Sequence, residues 1–204
     1  MSSVSRVNGF TPVKHLNGSP YNGAANLYFL AAANADVVMV GDVVKIEGSS
    51  RDPSGAPTVA RHAGGATEAA VGVVTAILFS GVGDVQNVPP VTDLDVPIYR
   101  RASTNRYVLV ADDPTIVFEA QTTAALLAAD VGLNAEVDVT AGSTTSGASG
   151  MAIDMAAKAT TATLPLKIVG FPNRPDNQLS DTYTRAYVVI NNHQLKGGTG
   201  TAGV

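Results

Sequence analysis

The 204-residue sequence predicts an all-β fold, either a sandwich or a partly closed barrel, from three observations. Short runs rich in β-branched and aromatic residues recur along the chain, which is typical of strands. The 20 glycines and 11 prolines punctuate these runs, so most segments end in turns. Only one short stretch has helical character. We expect about nine strands with several long connections, which favours pairing between strands that are distant in sequence.

The first 36 residues differ from the rest of the chain. They are rich in Gly, Asn, Ser and Pro, yet they carry several large apolar side chains that a polar disordered tail would lack. The Gly, Pro and Asn residues prevent this segment from building a core of its own. We therefore predict an extended N-terminal arm over residues 1–36 that lies on another surface, such as a neighbouring subunit. The apolar residues predicted to bind that partner are Phe10, Leu16, Tyr21, Leu27, Tyr28 and Phe29.

A β-rich domain is predicted over residues 37–195, followed by a flexible Gly/Thr tail over residues 196–204. Its first half reads as strands separated by Gly- and Pro-containing turns. The run near residue 75 hardly alternates between apolar and polar residues, which indicates a strand that is covered on both faces. In chain order, the predicted elements are one or two strands over 37–48, a turn over 52–55, a buried strand over 70–80 and a long loop over 81–95.

A β-hairpin is predicted over residues 96–111, with its turn at residues 102–105. Three arginines, Arg100, Arg101 and Arg106, cluster at its tip. They are either a solvated tip or a contact to an acidic partner surface, since Tyr and Arg are enriched where interfaces carry binding energy. A weaker version of the same pattern is formed by Arg174 and Arg185 with Tyr183 and Tyr187.

The second half of the domain contains the only predicted helix. Residues 122–130 read as about two helical turns, with Thr122 or Thr123 as the N-cap and Gly132 just past the end. The remaining elements are a turn at 112–114, strands over 115–121, 137–140, 151–156, 163–171 and 183–190, and a flexible loop over 141–150.

Composition narrows the classes of function. The net charge of −4 argues against nucleic-acid binding, which depends on Lys and Arg neutralising phosphates. Charged residues make up only 15%, below the usual ~25%, as suits a protein packed in an assembly. The longest apolar run, residues 69–79, is far shorter than the ~20 residues of a spanning helix, and no signal peptide is visible. We therefore expect a protein that binds neither nucleic acid nor membrane.

No catalytic motif is present. The chain has no cysteine, and His15, His62 and His193 lie in different segments without metal-ligand spacing. Neither a G-x-S-x-G elbow nor a phosphate-binding glycine loop occurs, and Ser146 and Ser149 lie in a flexible loop. We predict no enzymatic activity and no cofactor.

The paired carboxylates Asp112 and Asp113 precede Pro114, and a turn accounts for them. The alternative is a calcium site completed by Asp84 or Asp93, for which the sequence offers no spacing signature. We predict no metal site.

Three stretches of the chain resemble the head decoration, or cement, proteins of tailed bacteriophages. They are Pro12–Phe29, the early strands over 40–48 and 69–77, and the late run Leu164–Leu195. The resemblance implies a small, β-rich, often jelly-roll or barrel-like protein on the outer surface of a capsid. Such proteins sit at junctions between major capsid subunits, often form dimers or trimers, and frequently reach neighbours with a terminal arm.

The function expected from these observations is structural: a virion protein that cements neighbouring major capsid subunits from the outside. Two alternatives stay open at this point. One is another virion β-module, associated with the tail or a fibre. The other is a carbohydrate-binding β-sandwich, although the chain has no Trp and only 5% aromatic residues to form a sugar platform.

Overall fold

The computed structural model describes residues 3–48, 52, 55–78 and 97–203, and it is almost entirely β. Within these residues there are eleven strands and one 3₁₀ turn, Ala128–Asp130. The strands are β1 (Thr11–His15), β2 (Asn26–Leu30), β3 (Val43–Ile46), β4 (Val59–Arg61), β5 (Gly72–Leu78), β6 (Arg106–Ala111), β7 (Ile116–Gln121), β8 (Asn134–Asp138), β9 (Ala152–Ala159), β10 (Leu166–Gly170) and β11 (Arg185–Ile190).

The strands form two antiparallel sheets. A six-stranded sheet has the order β1-β7-β11-β10-β8-β9, and a five-stranded sheet has the order β2-β6-β5-β3-β4. Neither sheet closes into a barrel, although one bridge, from the Phe29 amide to the Pro57 carbonyl (2.9 Å), brings the two edges of the five-stranded sheet together. The predicted all-β, sandwich-like class is confirmed at this level, and the jelly-roll assignment stays a prediction.

Alternating side chains explain where the main core lies. On β7, Ile116, Phe118 and Ala120 point into a core to which both sheets contribute, and Val73 of β5 and Ala111 of β6 meet them there. A second apolar cluster lies on the other face of the five-stranded sheet and includes residues of β2, β3, β5 and β6. The five-stranded sheet is thus buried on both faces, as the sparse alternation near residue 75 predicts.

The N-terminal 36 residues supply an edge strand to each sheet. β1 pairs with β7, and β2 pairs with β6. Residues 19–21 then fold back on the outer edge of β1, where the Tyr21 amide donates to the Val13 carbonyl (3.1 Å). In this conformation the segment is part of the β fold.

The predicted hairpin over 96–111 is wrong for the described residues. Both sides of β6 are occupied by β2 and β5, so no free edge remains for residues 97–101. Arg100 instead forms a bridge with Val38, with main-chain bonds of 2.8 and 3.1 Å. Tyr99 and Tyr107 consequently pack in different apolar clusters.

The predicted helix over 122–130 is also wrong for most of its length, because only Ala128–Asp130 forms a 3₁₀ turn. The Thr122 hydroxyl donates to the Thr184 carbonyl (2.8 Å), and the Thr123 amide donates to the Ile153 carbonyl (2.9 Å). Tertiary hydrogen bonds therefore occupy the groups that would have started the helix.

Several expectations fall outside the described residues. These are the long loop over 81–95, including Asp84 and Asp93, the middle of the turn over 52–55, the end of the strand over 70–80 and the first residue of the hairpin. Among the described residues, no helix is long and apolar enough to cross a membrane.

Candidate partner-binding surface

The outer face of the six-stranded sheet carries a cluster of cations around one carboxylate. On β11, Arg185 and Tyr187 alternate with the core residues Ala186 and Val188, as the sequence predicts. Glu119 lies opposite Tyr187 on one side and opposite Thr11 of β1 on the other. Strand pairing therefore places side chains from three strands on one surface.

Glu119 organises this cluster. Its side chain is only 8% exposed, and it accepts hydrogen bonds from both terminal nitrogens of Arg174, at 2.6 and 3.2 Å. Arg185 Nη1 donates to the same carboxylate at 3.2 Å. The Glu119 carboxylate raises the pKa of Arg174 through this bidentate bond. The arrangement holds two guanidinium groups in fixed positions on one anion.

Lys14 completes the positive character of the surface. Its Nζ lies 5.1 Å from the centroid of the Tyr187 ring, within cation–π range, and the side chain is exposed. Three cations therefore surround one carboxylate, which leaves a local charge of +2 on a chain whose net charge is −4. We call this surface the Arg–Tyr face, and it consists of Lys14, Glu119, Arg174, Arg185 and Tyr187.

A pocket of about 450 Å³ adjoins Arg174. Asn177, which is buried, fixes its wall: its side-chain amide donates to the Pro172 carbonyl (2.8 Å) and the Arg185 carbonyl (3.1 Å), and its oxygen accepts from the Arg185 amide (2.7 Å). The loop beside the Arg–Tyr face is therefore tied to β11. The residues lining the pocket are Phe171, Asn173, Arg174, Pro175, Asn177, Gln178 and Leu179.

The six predicted arm contacts are not brought together. Phe10 is buried in the main core, Tyr28 in the second cluster, and Phe29 in a third cluster with Tyr107. Of the other three, Tyr21 and Leu27 are half-buried, and Leu16 is 58% exposed at the turn after β1. Only Leu16 presents a fully accessible apolar side chain, so the partner-binding role of this set stays a prediction.

The three predicted hairpin arginines also have different environments. Arg100 is 0% exposed, whereas Arg101 is exposed and Arg106 is half-buried. The Arg100 guanidinium donates to the carbonyls of Ala31 (2.7 Å), Asn34 (2.8 Å), Asp36 and Thr104 (2.9 Å). Burial lowers the pKa of Arg100, and the carbonyl oxygens stabilise its charge. Arg100 thus binds the chain itself.

His62 is fully buried and has a defined tautomer. The Gly64 amide donates to Nδ1 (3.0 Å), so Nδ1 carries no proton and Nε2 donates to the Glu68 carbonyl (3.1 Å). Burial lowers the pKa of His62, which agrees with a neutral ring despite the Glu68 carboxylate 3.3 Å from Nδ1. Lys45 is the cation that pairs with Glu68.

The Asp112–Asp113 pair serves two structural purposes. Asp112 is buried and accepts hydrogen bonds from the Tyr28 hydroxyl (2.7 Å) and the Asn26 side chain (2.9 and 3.0 Å). Asp113 accepts from the Thr115 amide and hydroxyl, both at 2.8 Å, which forms the predicted turn. In the described part of the chain, no three His, Cys, Asp or Glu residues are grouped so as to hold a metal ion.

Sequence reasoning noticed Arg174, Arg185 and Tyr187 but missed Glu119 and Lys14. A carboxylate in the middle of the apolar run TIVFEAQ was the available signal, because strand alternation puts Glu119 on the face opposite Phe118. The position of Lys14 carried no such signal, because its strand lies within the Gly/Asn-rich segment.

Comparisons with protein-family models, with curated proteins and with solved structures find no match to this chain.

Proposed function

We propose that this protein is a structural virion protein that binds the outer surface of a phage capsid and cements neighbouring major capsid subunits. The observation that carries the binding role is the Arg–Tyr face, a fixed group of cations beside exposed aromatic surface on an acidic chain. The resemblance of three stretches of sequence to phage head decoration proteins supports the choice of the capsid as partner. Neighbouring copies of the protein, as dimers or trimers, are the second proposed partner.

The Arg–Tyr face fits an acidic patch on the shell. Three cations attract carboxylates at long range and speed encounter, whereas Tyr187 and the nearby Tyr183, which is 41% exposed, supply contact area. The bond network around Glu119 fixes the arginines before binding, which reduces the entropy lost on association. Many symmetry-related copies on one shell then make a modest individual affinity sufficient.

The arm contributes through its exposed part. Leu16 at the turn after β1 is available to a neighbour. Contacts by Phe10, Tyr28 and Phe29 require β1 or β2 to leave its sheet, because these side chains are buried in the chain's own clusters. A truncation of residues 1–36 would remove both edge strands, so point variants are the appropriate test.

The test is binding of purified protein to capsid shells that lack it. Lys14→Glu reverses one charge of the Arg–Tyr face without breaking an ion pair, and we expect about tenfold weaker binding at low salt and a smaller loss at high salt. Arg101→Glu gives the same net charge at an exposed site away from this face, and should bind like the unchanged protein. Equal binding by the two variants would contradict the role of the Arg–Tyr face, and no binding by the unchanged protein would contradict the capsid proposal.

A further inference from the structure

Three Asn-Gly dipeptides lie near the N-terminus, at Asn8-Gly9, Asn17-Gly18 and Asn22-Gly23. In such a pair the glycine nitrogen can reach the asparagine side-chain carbonyl, because glycine has no Cβ to obstruct the approach and adopts most backbone conformations. Since the following residue is glycine in all three, the intrinsic reactivities are similar. The folded structure, rather than the local sequence, then decides which asparagine reacts.

We propose that Asn22 is a site of spontaneous deamidation and that it reacts faster in the folded protein than Asn17 or Asn8. The Gly23 nitrogen loses its proton and forms a bond to Cγ of Asn22, and the Cγ–Nδ2 bond breaks to release ammonia. Water then opens the five-membered succinimide at either carbonyl. The products are isoaspartate, in which the main chain passes through the former side chain, and aspartate.

The surroundings of Asn22 permit this ring closure. Asn22 and Gly23 are exposed, and no atom lies within 4 Å of where a Gly23 Cβ would be. In the described part of the chain, the Gly23 nitrogen donates no hydrogen bond, so nothing has to be broken before it attacks. The Ala24 amide donates to Asn22 Oδ1 (3.1 Å), which keeps the carboxamide against the following backbone and polarises its carbonyl.

Asn17 differs from Asn22 in one decisive respect. The Gly18 amide donates to the His15 carbonyl (2.9 Å), and this bond must break before the nitrogen can attack. The Ser19 amide and hydroxyl also fix Asn17 Oδ1, at 2.9 and 2.7 Å. The loss of one ordinary hydrogen bond slows the reaction about fivefold.

Asn8 is the most protected of the three. Gly9 is buried, and a Cβ there would lie 2.5 Å from the Gly41 carbonyl oxygen and 2.5 Å from Cβ of Ser149. The neighbouring Phe10 amide is bonded to the same Gly41 carbonyl (2.9 Å). The backbone cannot rearrange into a ring without local unfolding, so Asn8 should react more slowly than Asn17.

Reaction at Asn22 alters the connection between the two sheets. The loop that contains it joins β1 of one sheet to β2 of the other, and the Tyr21 hydroxyl anchors it by donating to the Ala24 carbonyl (2.8 Å). Isoaspartate adds one backbone atom and one negative charge beside this anchor. Aged protein should therefore hold Tyr21 less firmly than fresh protein.

The experiment incubates the native protein in mildly alkaline buffer and follows the three sites by peptide mapping with mass spectrometry and isoaspartate detection. We expect Asn22 to convert about fivefold faster than Asn17, with Asn8 slowest, and the rate at Asn22 to rise with pH. Asn22→Gln should abolish conversion there and leave the rate at Asn17 unchanged. Equal or faster conversion of Asn17 in the native protein would overturn the proposal.

The denatured chain is the matched control. In denaturant the three dipeptides lose their different surroundings, so their rates should converge. If the order seen in the native protein persisted in denaturant, local sequence and not the fold would set it, and the proposal would be overturned.

Discussion

Arg100 is a buried cation that four main-chain carbonyls hold in place of a carboxylate. Those carbonyls belong to residues 31–36 and to Thr104, so the guanidinium fastens the segment after β2 to the start of β6. No ion pair to Arg100 is present among the described residues. The planar fork of Arg suits this geometry, because its five donors point in several directions at once.

Replacing Arg100 should therefore be costly. Arg100→Met leaves four carbonyls without their donor, and we expect the free energy of unfolding in urea to fall by about 3–5 kcal/mol. Arg100→Lys should lie between, since an ammonium group offers three donors and no fork. The exposed neighbour is the control: Arg101→Met should change stability by no more than about 0.5 kcal/mol. Similar losses for both methionine variants would show that the carbonyl contacts of Arg100 contribute little.

At the scale of the element, close strand packing is marked by Gly72 at the start of β5. A Cβ at Gly72 would lie 2.3 Å from the Ala111 carbonyl oxygen and 2.7 Å from Cγ1 of Val110, both on the paired strand β6. Gly170, at the end of β10, has nothing within 4 Å of the same position. Neither glycine has a positive φ, so a difference between them reports space and not backbone strain.

The two glycines give a matched pair of variants. Gly72→Ala should destabilise the fold by about 2 kcal/mol or more, because two neighbouring strands must separate to admit the methyl group. Gly170→Ala should stay within about 0.5 kcal/mol of the unchanged protein. Thermal unfolding of both proteins measures the difference. A neutral Gly72→Ala would mean that β5 and β6 are not packed as closely as described.

Most central strands could be predicted from sequence, whereas the edge strands could not. The runs RYVLVA and TIVFEAQ were read as strands and are β6 and β7 within one residue, because they carry their own β-branched and alternating pattern. β1 and β2 lie among Gly, Pro and Asn residues and owe their strand form to partners about 100 and 84 residues away in sequence. Local propensity carries no trace of such distant pairing.

At the scale of the whole molecule, two buried neutral histidines couple stability to pH. His62 lies beside the five-stranded sheet, and His193 follows β11 in the six-stranded sheet, with 0% and 2% exposure. Burial lowers the pKa of each, although Asp112 and Asp113 oppose this for His193 and Glu68 opposes it for His62. The unfolded chain therefore binds these protons at a higher pH than the folded chain does.

Stability should consequently fall as the pH drops below the unfolded value of 6.5. Each proton that only the unfolded chain binds lowers the free energy of unfolding by about 1.4 kcal/mol per pH unit. The melting temperature should be level just above neutrality and should decline towards about pH 5.5. His62→Asn, whose side-chain oxygen can still accept from the Gly64 amide, should show a shallower decline. An unchanged decline in this variant would rule out His62 as a source of the pH dependence.

The Arg–Tyr face could be predicted only in part for a similar reason. Arg185 and Tyr187 lie two residues apart on one strand, so their common face follows from strand alternation. Lys14 and Arg174 come from opposite ends of the chain, and only the order β1-β7-β11 brings them to Glu119. Strand order is set by the whole fold and is not legible in any local window.

The edge positions of β1 and β2 also determine the order in which the protein can fold. A ribosome makes these strands first, but their partners β6 and β7 emerge only after about 80–100 more residues, as the separations of 84 and 100 residues show. Until then Phe10, Tyr28 and Leu30 have no core to enter, and long-range β pairing is slow. The nascent chain thus carries sticky apolar groups through most of its synthesis, which makes it a natural client for chaperones until its two sheets close.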